Sequence, residues 1–209
     1  MLEALLKYFG VMDLGEITKE MIKGGKVVIE EYPEGASSKL ALLPNVEVVK
    51  GQKPDEDWKI PYVKPKGPNG EVTFYGPLEG ILLYGMGTLL LYLSGAREPE
   101  KFDPLPVPMN LRVYVYPGLP CYFVLKELGR IAGTKNLNIE IIHVDKGKRL
   151  QMLYSLGVRS VPTYELNGKL LHNGKLSAEE LYELLKKKAE EEVTKMWEKI
   201  KKEYIREKQ

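Results

Sequence analysis

Leu111 to Tyr116 alternates apolar and polar positions with β-branched and aromatic residues, which predicts a strand. Behind Pro117-Gly118, residues Val124, Leu125, Leu128, Ile131 and Ala132 recur at helical spacing, so a helix is expected, with Pro120 in its first turn and Gly133 at its end. Asn138 to Val144 is an almost unbroken apolar run, the pattern of a strand buried on both faces. A second helix is expected from Lys146 to Leu156, presenting Leu150, Leu153 and Tyr154 and closed by Gly157. Thr163 to Leu166 and Lys169 to His172 flank Asn167-Gly168, the dipeptide suited to a two-residue hairpin turn with positive φ at both positions. Ser177, with Glu180 three residues on, has the form of a capping box opening a last helix. Strand, helix, strand, helix, strand, strand, helix is the order of an α/β unit with a four-stranded mixed sheet and helices on both faces.

The first half repeats part of this plan. Ile60-Pro61-Tyr62-Val63 leads through Pro68-Asn69-Gly70 to Val72-Thr73-Phe74-Tyr75-Gly76 and a helix, as Val161-Pro162-Thr163 leads through Asn167-Gly168 to His172-Asn173-Gly174 and a helix. The offsets are 162 − 61 = 101, 167 − 69 = 98 and 174 − 76 = 98, which indicates an internal duplication. Two strands, Lys26 to Glu31 and Val46 to Val49, precede Pro61, and Tyr32 to Asn45 leaves room between them for at most a short helix. The expected segments are an N-terminal helical piece (1–24), a degenerate unit (25–96), a Pro-rich, extended connection (97–110), a complete unit (111–187) and a charged helical extension (188–209). In that extension Val193, Met196, Trp197, Ile200 and Tyr204 form an apolar stripe that outlasts the domain core, to dock on the first unit or on a second chain.

Composition narrows the function. The chain has 209 residues with 44% hydrophobic and 29% charged, and its net charge of +2 gives no global field for nucleic acid. Lys and Glu dominate the charges and cysteine is scarce, a bias that fits a heat-adapted source. Met1 to Leu14 lacks the features of a secretory signal, so a cytoplasmic location is expected. Ile81 to Leu93 is apolar, but thirteen residues fall short of the ~20 needed to span a bilayer, and a buried or interface helix is expected there. No membrane partner is expected.

The run Tyr154-Ser155-Leu156-Gly157-Val158-Arg159-Ser160-Val161-Pro162-Thr163, with Asp145 ahead of it, resembles the segment that precedes the cis-proline of thioredoxins. Two such units joined by a helix and a proline-bearing connection resemble the two-unit protein disulfide oxidoreductases, or glutaredoxin-like proteins, of thermophilic microbes; the resemblance covers about residues 25 to 187, most strongly in the second half. It implies two tandem thioredoxin-like units, the first degenerate, and a helix N-terminus carrying Cys-x-x-Cys, where the helix dipole stabilises an attacking thiolate and a second thiol resolves the mixed disulfide.

The matching segment, Tyr116-Pro117-Gly118-Leu119-Pro120-Cys121-Tyr122, holds the only cysteine of the chain. Aligned on the thioredoxin Gly-Pro-Cys, the nucleophile position is Gly118 and Cys121 is the resolving thiol; aligned on the glutaredoxin Cys-Pro-Tyr-Cys, the two positions are Leu119 and Tyr122. Leu125, Leu128 and Ile131 stand +4, +7 and +10 from Cys121, which favours the first register, while the face drifts when counted from Tyr122. In either register the nucleophile lacks sulfur, and the strand before it lacks the buried acid of a thioredoxin. Dithiol exchange within the chain is therefore excluded.

Three functions are compatible with these residues. The first is a non-catalytic protein that binds an extended peptide or partner with Pro117, Gly118, Leu119, Pro120, Val161 and Pro162, Cys121 being a buried hydrophobe. The second is a monothiol redox protein acting through Cys121 as a helix-terminal thiolate, at most a weak oxidoreductase. The third is a homo-oligomer built through the 81–93 and 189–204 helices. No cofactor is expected, and no metal, since neither His143 nor His172 has a second ligand at zinc spacing. Gly85-x-Gly87 lies in an apolar helix and lacks the rest of a phosphate-binding loop.

Overall fold

The computed structural model of the chain describes residues 6–206. Residues 1–5 and 207–209, and with them the outer ends of the 1–24 and 188–209 segments, lie outside that description. After a helical turn at residues 6–8, the first element with both ends described is α1 (Leu14–Met21), opened by a capping box in which Asp13 accepts from the Glu16 N–H at 2.8 Å and the Glu16 carboxylate accepts from the Asp13 N–H at 3.1 Å. Then come β1 (Val27–Tyr32) and β2 (Val46–Lys50), separated by a single 3-10 turn, Leu40–Leu42, in place of a crossover helix. Strands β3 (Tyr62–Gly67), β4 (Gly70–Glu71) and β5 (Thr73–Tyr75) lead into α2 (Gly80–Leu93).

The second half runs β6 (Met109–Val115), α3 (Leu119–Ile131), β7 (Leu137–His143), α4 (Gly147–Ser155), β8 (Thr163–Leu166), β9 (Lys169–Asn173) and α5 (Ala178–Arg206). Both local signals act as expected: Asn167 and Gly168 take φ of 48° and 83°, and Ser177 and Glu180 exchange bonds of 3.2 and 2.8 Å at the start of α5. All nine strands form one sheet in the order β2-β1-β3-β5-β7-β6-β8-β9, with β4 paired to β3. In the second half β6 runs parallel to β7 and antiparallel to β8, which pairs with β9. In the first half β1 runs parallel to β2 and antiparallel to β3, which pairs with β5, so the same scheme occurs twice. The halves join through the parallel pair β5 and β7, with Phe74 beside Ile141.

Side-chain alternation gives this sheet two faces. One carries Ile29, Phe74, Leu111, Val113, Ile139 and Ile141 into a large core closed by α1, α2, α3 and the start of α5. The other carries Tyr62, Tyr75, Tyr114 and Ile142 toward Leu153 of α4. In α4 the expected apolar face is only partly right, because Tyr154 points outward while Arg149 is buried.

Helix α2 is apolar on every side because it is enclosed on every side, between α1, α3 and the sheet. It is therefore consumed by the chain's own core, which corrects the expectation that the 81–93 helix serves an oligomer interface. Its approach to α3 is close: a methyl group at Gly85 would stand 2.7 Å from Leu125 Cδ1, and one at Gly129 would stand 3.0 Å from the Leu89 backbone. Among the described residues no helix is long and apolar enough to cross a membrane.

The Pro-rich connection is fastened at several points. Phe102 stacks on Tyr182 with ring centroids 4.5 Å apart, Leu105 is buried, and Arg130 bonds Glu100 at 2.6 Å. Helix α5 buries its inner face only as far as Ala189, and from Thr194 to Arg206 every residue is exposed. Among the described residues the tail therefore adds nothing to the buried core beyond Ala189.

Candidate functional site

The segment Tyr116-Pro117-Gly118 carries the chain from β6 into α3. Gly118 is the N-cap in extended conformation (φ −177°, ψ 157°), and its carbonyl accepts from the N–H groups of Cys121 and Tyr122, both at 3.1 Å. Cys121 is only 2% exposed, and its Sγ accepts from the Tyr116 N–H at 3.4 Å. Burial pushes the Cys121 thiol up from its ordinary pKa, and the Tyr116 N–H offsets only part of that. The side chain packs in the large core with Leu125 and Leu128, on the face that helical counting assigned to it.

Tyr122 departs from that counting. It is as buried as Cys121, and its hydroxyl lies 3.2 Å from Thr88 Oγ1 and accepts from the Met12 N–H at 3.0 Å. Because α3 is wedged between the sheet and α2, two of its faces are interior, and burial alone does not separate the two registers.

Beside the α3 N-terminus runs the turn into β8. The Val161-Pro162 peptide is cis, and the Pro162 carbonyl accepts from the Gly174 N–H at 2.8 Å. Leu119, Pro120 and Phe123 from α3, Val161 and Pro162 from this turn, and Gly174 with Lys175 enclose a shallow groove of about 420 Å³. Lys175 Nζ stands 5.3 Å over the Phe123 ring. Four predicted binding residues thus meet in one groove, while Pro117 and Gly118 lie outside its lining and Cys121 lies beneath it. Phe123, Gly174 and Lys175 are additions; Phe123 was discoverable, being four residues after Leu119 and thus on the same helix face.

The equivalent place in the first half is built from loops. Tyr32-Pro33 and Ile60-Pro61 are both cis, and the Pro61 carbonyl accepts from the Gly76 N–H at 2.7 Å, the counterpart of the Pro162–Gly174 bond. After β1 the chain folds over the buried Glu31 carboxylate, which accepts from the N–H groups of Gly35 (2.6 Å) and Ser37 (2.5 Å) and from the Ser37 hydroxyl (2.6 Å). The loop ahead of Pro61 is held from the second half. Arg149 of α4, 6% exposed, donates to the carbonyls of Trp58 (2.7 Å) and Ile60 (3.0 Å) and grips Asp145 with two nitrogens at 2.8 and 2.9 Å. Burial alone would raise the Asp145 carboxyl, yet the Arg149 bonds outweigh it and hold the pKa below the ordinary carboxylate value.

On the sheet face away from Cys121 lies a polar cluster that sequence reasoning missed. Arg112 bonds Glu140 at 2.7 Å and Glu165 at 3.3 Å, the Tyr114 hydroxyl donates to Glu165, and the Tyr75 hydroxyl donates to Glu140 at 3.3 Å. Burial, with the adjoining carboxylates, raises both tyrosine pKa values. The one available signal was a set of charged residues, Arg112, Glu140 and Glu165, within otherwise apolar strands. Because the cluster opens to the other face, it gives Cys121 no proton acceptor. His143 is buried with Nδ1 2.8 Å from the Pro77 carbonyl oxygen, and no group of three metal-ligating side chains occurs among the described residues.

No protein-family model and no curated protein matches the chain. Solved structures do. The NTD_N/C domain of alkylhydroperoxide reductase AhpF from Enterococcus faecalis aligns with 82% of this chain and 96% of its own length at a TM-score of 0.66 and 16% identity. A protein disulfide oxidoreductase from Aeropyrum pernix K1 aligns with 86% of this chain and 95% of its own at 0.64 and 16% identity. Sso1120 from Sulfolobus solfataricus aligns with 83% of this chain and all of its own at 0.54 and 18% identity. Together with the strand order and the helix start beside a cis-proline, these likenesses define a thioredoxin-like α/β fold.

Proposed function

We propose that the chain is two tandem thioredoxin-like units, descended by duplication from a disulfide oxidoreductase, that has kept the substrate groove of its second unit and lost the dithiol. It binds an extended peptide or an unfolded segment of a partner protein without redox chemistry, and it acts in the cytoplasm. One observation carries this reading: the groove of Leu119, Pro120, Phe123, Val161 and Pro162 is open, while the only thiol sits beneath it, 2% exposed and with its pKa raised. An open apolar cleft beside the edge of a turn suits an added peptide strand, whereas a buried, protonated thiol is a poor nucleophile. The repeated strand pairing and the paired Pro61–Gly76 and Pro162–Gly174 bonds support the duplication.

Binding of a reduced, alkylated model polypeptide, followed by fluorescence anisotropy, tests this. Phe123→Glu should weaken binding at least tenfold, the scale of losing one anchoring aromatic, and Cys121→Ser should leave it unchanged. A thiol reagent should react with Cys121 slowly at neutral pH; rapid reaction with a thiol pKa well below ~8.5 would favour the monothiol reading instead.

A further inference from the structure

The groove at the start of α3 has apolar walls and a single charge. Leu119, Pro120, Phe123, Val161 and Pro162 supply the walls, and Lys175 is the only charged side chain among the residues that line it. Its Nζ stands 5.3 Å over the Phe123 ring, so the face of the ring keeps the ammonium at the groove rather than out in bulk solvent. Lys175 forms no ion pair among the described residues. The acids close to it in the chain and on α3 are engaged elsewhere. Glu127 accepts from the Ala178 N–H at 3.0 Å and pairs with Arg130, Glu179 pairs with Arg130, and Glu180 accepts from the Ser177 N–H at 2.8 Å.

Charge around the groove has one sign. The three segments that build it, 117–126, 157–163 and 172–176, contain Lys126, Arg159 and Lys175 and no acidic residue, in a chain whose 31 basic and 29 acidic residues nearly balance. Lys126 follows Leu119 by seven residues and Phe123 by three, which puts it on the same face of α3. Arg159 lies over the Tyr154 ring at 5.8 Å, two residues ahead of Val161. The backbone supplies a register. Among the described residues the N–H and carbonyl of Val161 take part in no hydrogen bond, so an extended chain can pair there. Along such a chain, side chains two residues apart share a face at about 7 Å spacing, the scale of the 5.3 Å between the Phe123 ring and Lys175 Nζ.

We infer that the groove selects acidic segments: an extended peptide places one apolar side chain against Leu119, Phe123 and Pro162 and, two residues away on the same face, an Asp or Glu carboxylate against Lys175 Nζ. The inference rests on the peptide-binding reading above and gives it a substrate class. A solvent-facing charge pair of this kind changes affinity by about two- to fivefold, while Lys126 and Arg159 act on the association rate and its salt dependence. A segment with a basic residue at the same place meets an unpaired ammonium instead, so discrimination comes from repulsion as well as attraction.

Fluorescence anisotropy of the full chain with labelled, unstructured peptides tests this. The peptides are identical except that a central Leu is flanked, two positions away on both sides, by Glu, by Gln or by Lys. The Glu peptide should bind about five- to tenfold more tightly than the Lys peptide, with the Gln peptide between them. That spread should shrink when salt is raised to about 1 M, where the screening length falls to about 3 Å. Lys175→Glu should reverse the order and Lys175→Gln should narrow it, whereas Lys169→Glu, the same change of charge at the opposite end of β9, should leave it as it was. Three equal affinities that Phe123→Ala still weakens overturn the acidic selection and leave the peptide groove standing, as does an order unmoved by Lys175→Glu. An equal loss for all three peptides in Lys175→Gln also overturns the selection, assigning the side chain to packing on Phe123. Binding of none of the three overturns the groove itself and this inference with it.

Discussion

The two halves of the sheet use one pairing scheme and one proline–glycine bond, yet only in the second does a helix start form a groove with the cis-proline. The difference lies in the segment after the first strand of each. After β6 a full helix rises from Gly118 and sets Leu119, Pro120 and Phe123 against Val161-Pro162. After β1 the chain instead folds over Glu31, passes through one 3-10 turn and reaches β2 with no helix end facing Pro61. The sheet and its cis-proline are thus a platform, and the crossover helix is what makes a cleft of it. The first half has turned the same platform to architecture: its Ile60 carbonyl, next to the cis-proline, is occupied by Arg149 of the second half.

Returning the missing sulfur to one half should separate the two most sharply. A side chain at Gly118 would meet nothing closer than 3.8 Å, and its backbone is extended, so Gly118→Cys fits without strain. With Cys121 three residues on, the variant should form one intrachain disulfide, losing both titratable thiols on oxidation, and should raise insulin reduction from background to a measurable rate. Failure to form that disulfide would argue against the register in which Cys121 is the resolving position. Ser38→Cys, at an exposed position in the loop after β1, should leave the thiol count at two and reductase activity at background, because no helix brings it a partner.

Next in size is the clamp that ties the first half's loop to the second. Arg149→Ala leaves Asp145 and two carbonyls without their donor, and should cost about 3–5 kcal/mol in urea unfolding, as breaking a buried ion pair does. Arg149→Lys should recover little, since a point charge does not reproduce four directed bonds. The same clamp gives an acid limb. The folded-state pKa of Asp145 is depressed, so its contribution is present above the unfolded carboxylate value of about 3.9 and is lost as pH falls through the folded value. Asp145→Asn should flatten that limb of the stability–pH curve.

A smaller effect isolates the first half alone. Glu31→Ala removes the acceptor of three hydrogen bonds and should cost about 2–3 kcal/mol. Hydrogen exchange should show amides 35 and 37 losing protection while peptide affinity at the Phe123 groove stays unchanged. A parallel loss of affinity would mean that the two halves are coupled through the β5–β7 pair rather than merely joined.

The features legible ahead of the structure were those decided within a few residues. The Asn167-Gly168 turn, the Ser177–Glu180 cap and the i+4, i+7 placement of Cys121 need no distant partner, and each stands where expected. Arg149 depends on carbonyls 89 and 91 positions away, so its helix was read as presenting Tyr154 instead. Tyr122 was misjudged because hydrophobic periodicity assumes one buried face, and α3 has two. The groove was half legible: Leu119, Pro120, Val161 and Pro162 come from the motif, whereas Lys175 enters only through the return of β9.

The smallest test compares the helix starts at the two ends of the chain. Asp13 and Ser177 each close a capping box, with bonds of 2.8 and 3.2 Å to the third helical N–H. Asp13→Ala and Ser177→Ala should each cost about 1 kcal/mol by chemical denaturation. Their consequences should differ. Helix α1 packs Ile17 and Met21 against α2 and carries no exposed stripe beyond them, so Asp13→Ala should lower stability alone. Helix α5 continues well beyond its buried Leu181, Leu185 and Ala189, so fraying its first turn should leave the outer helix intact. If Ser177→Ala instead removed several turns of helix by circular dichroism, the outer helix would be held by its cap rather than by its own length.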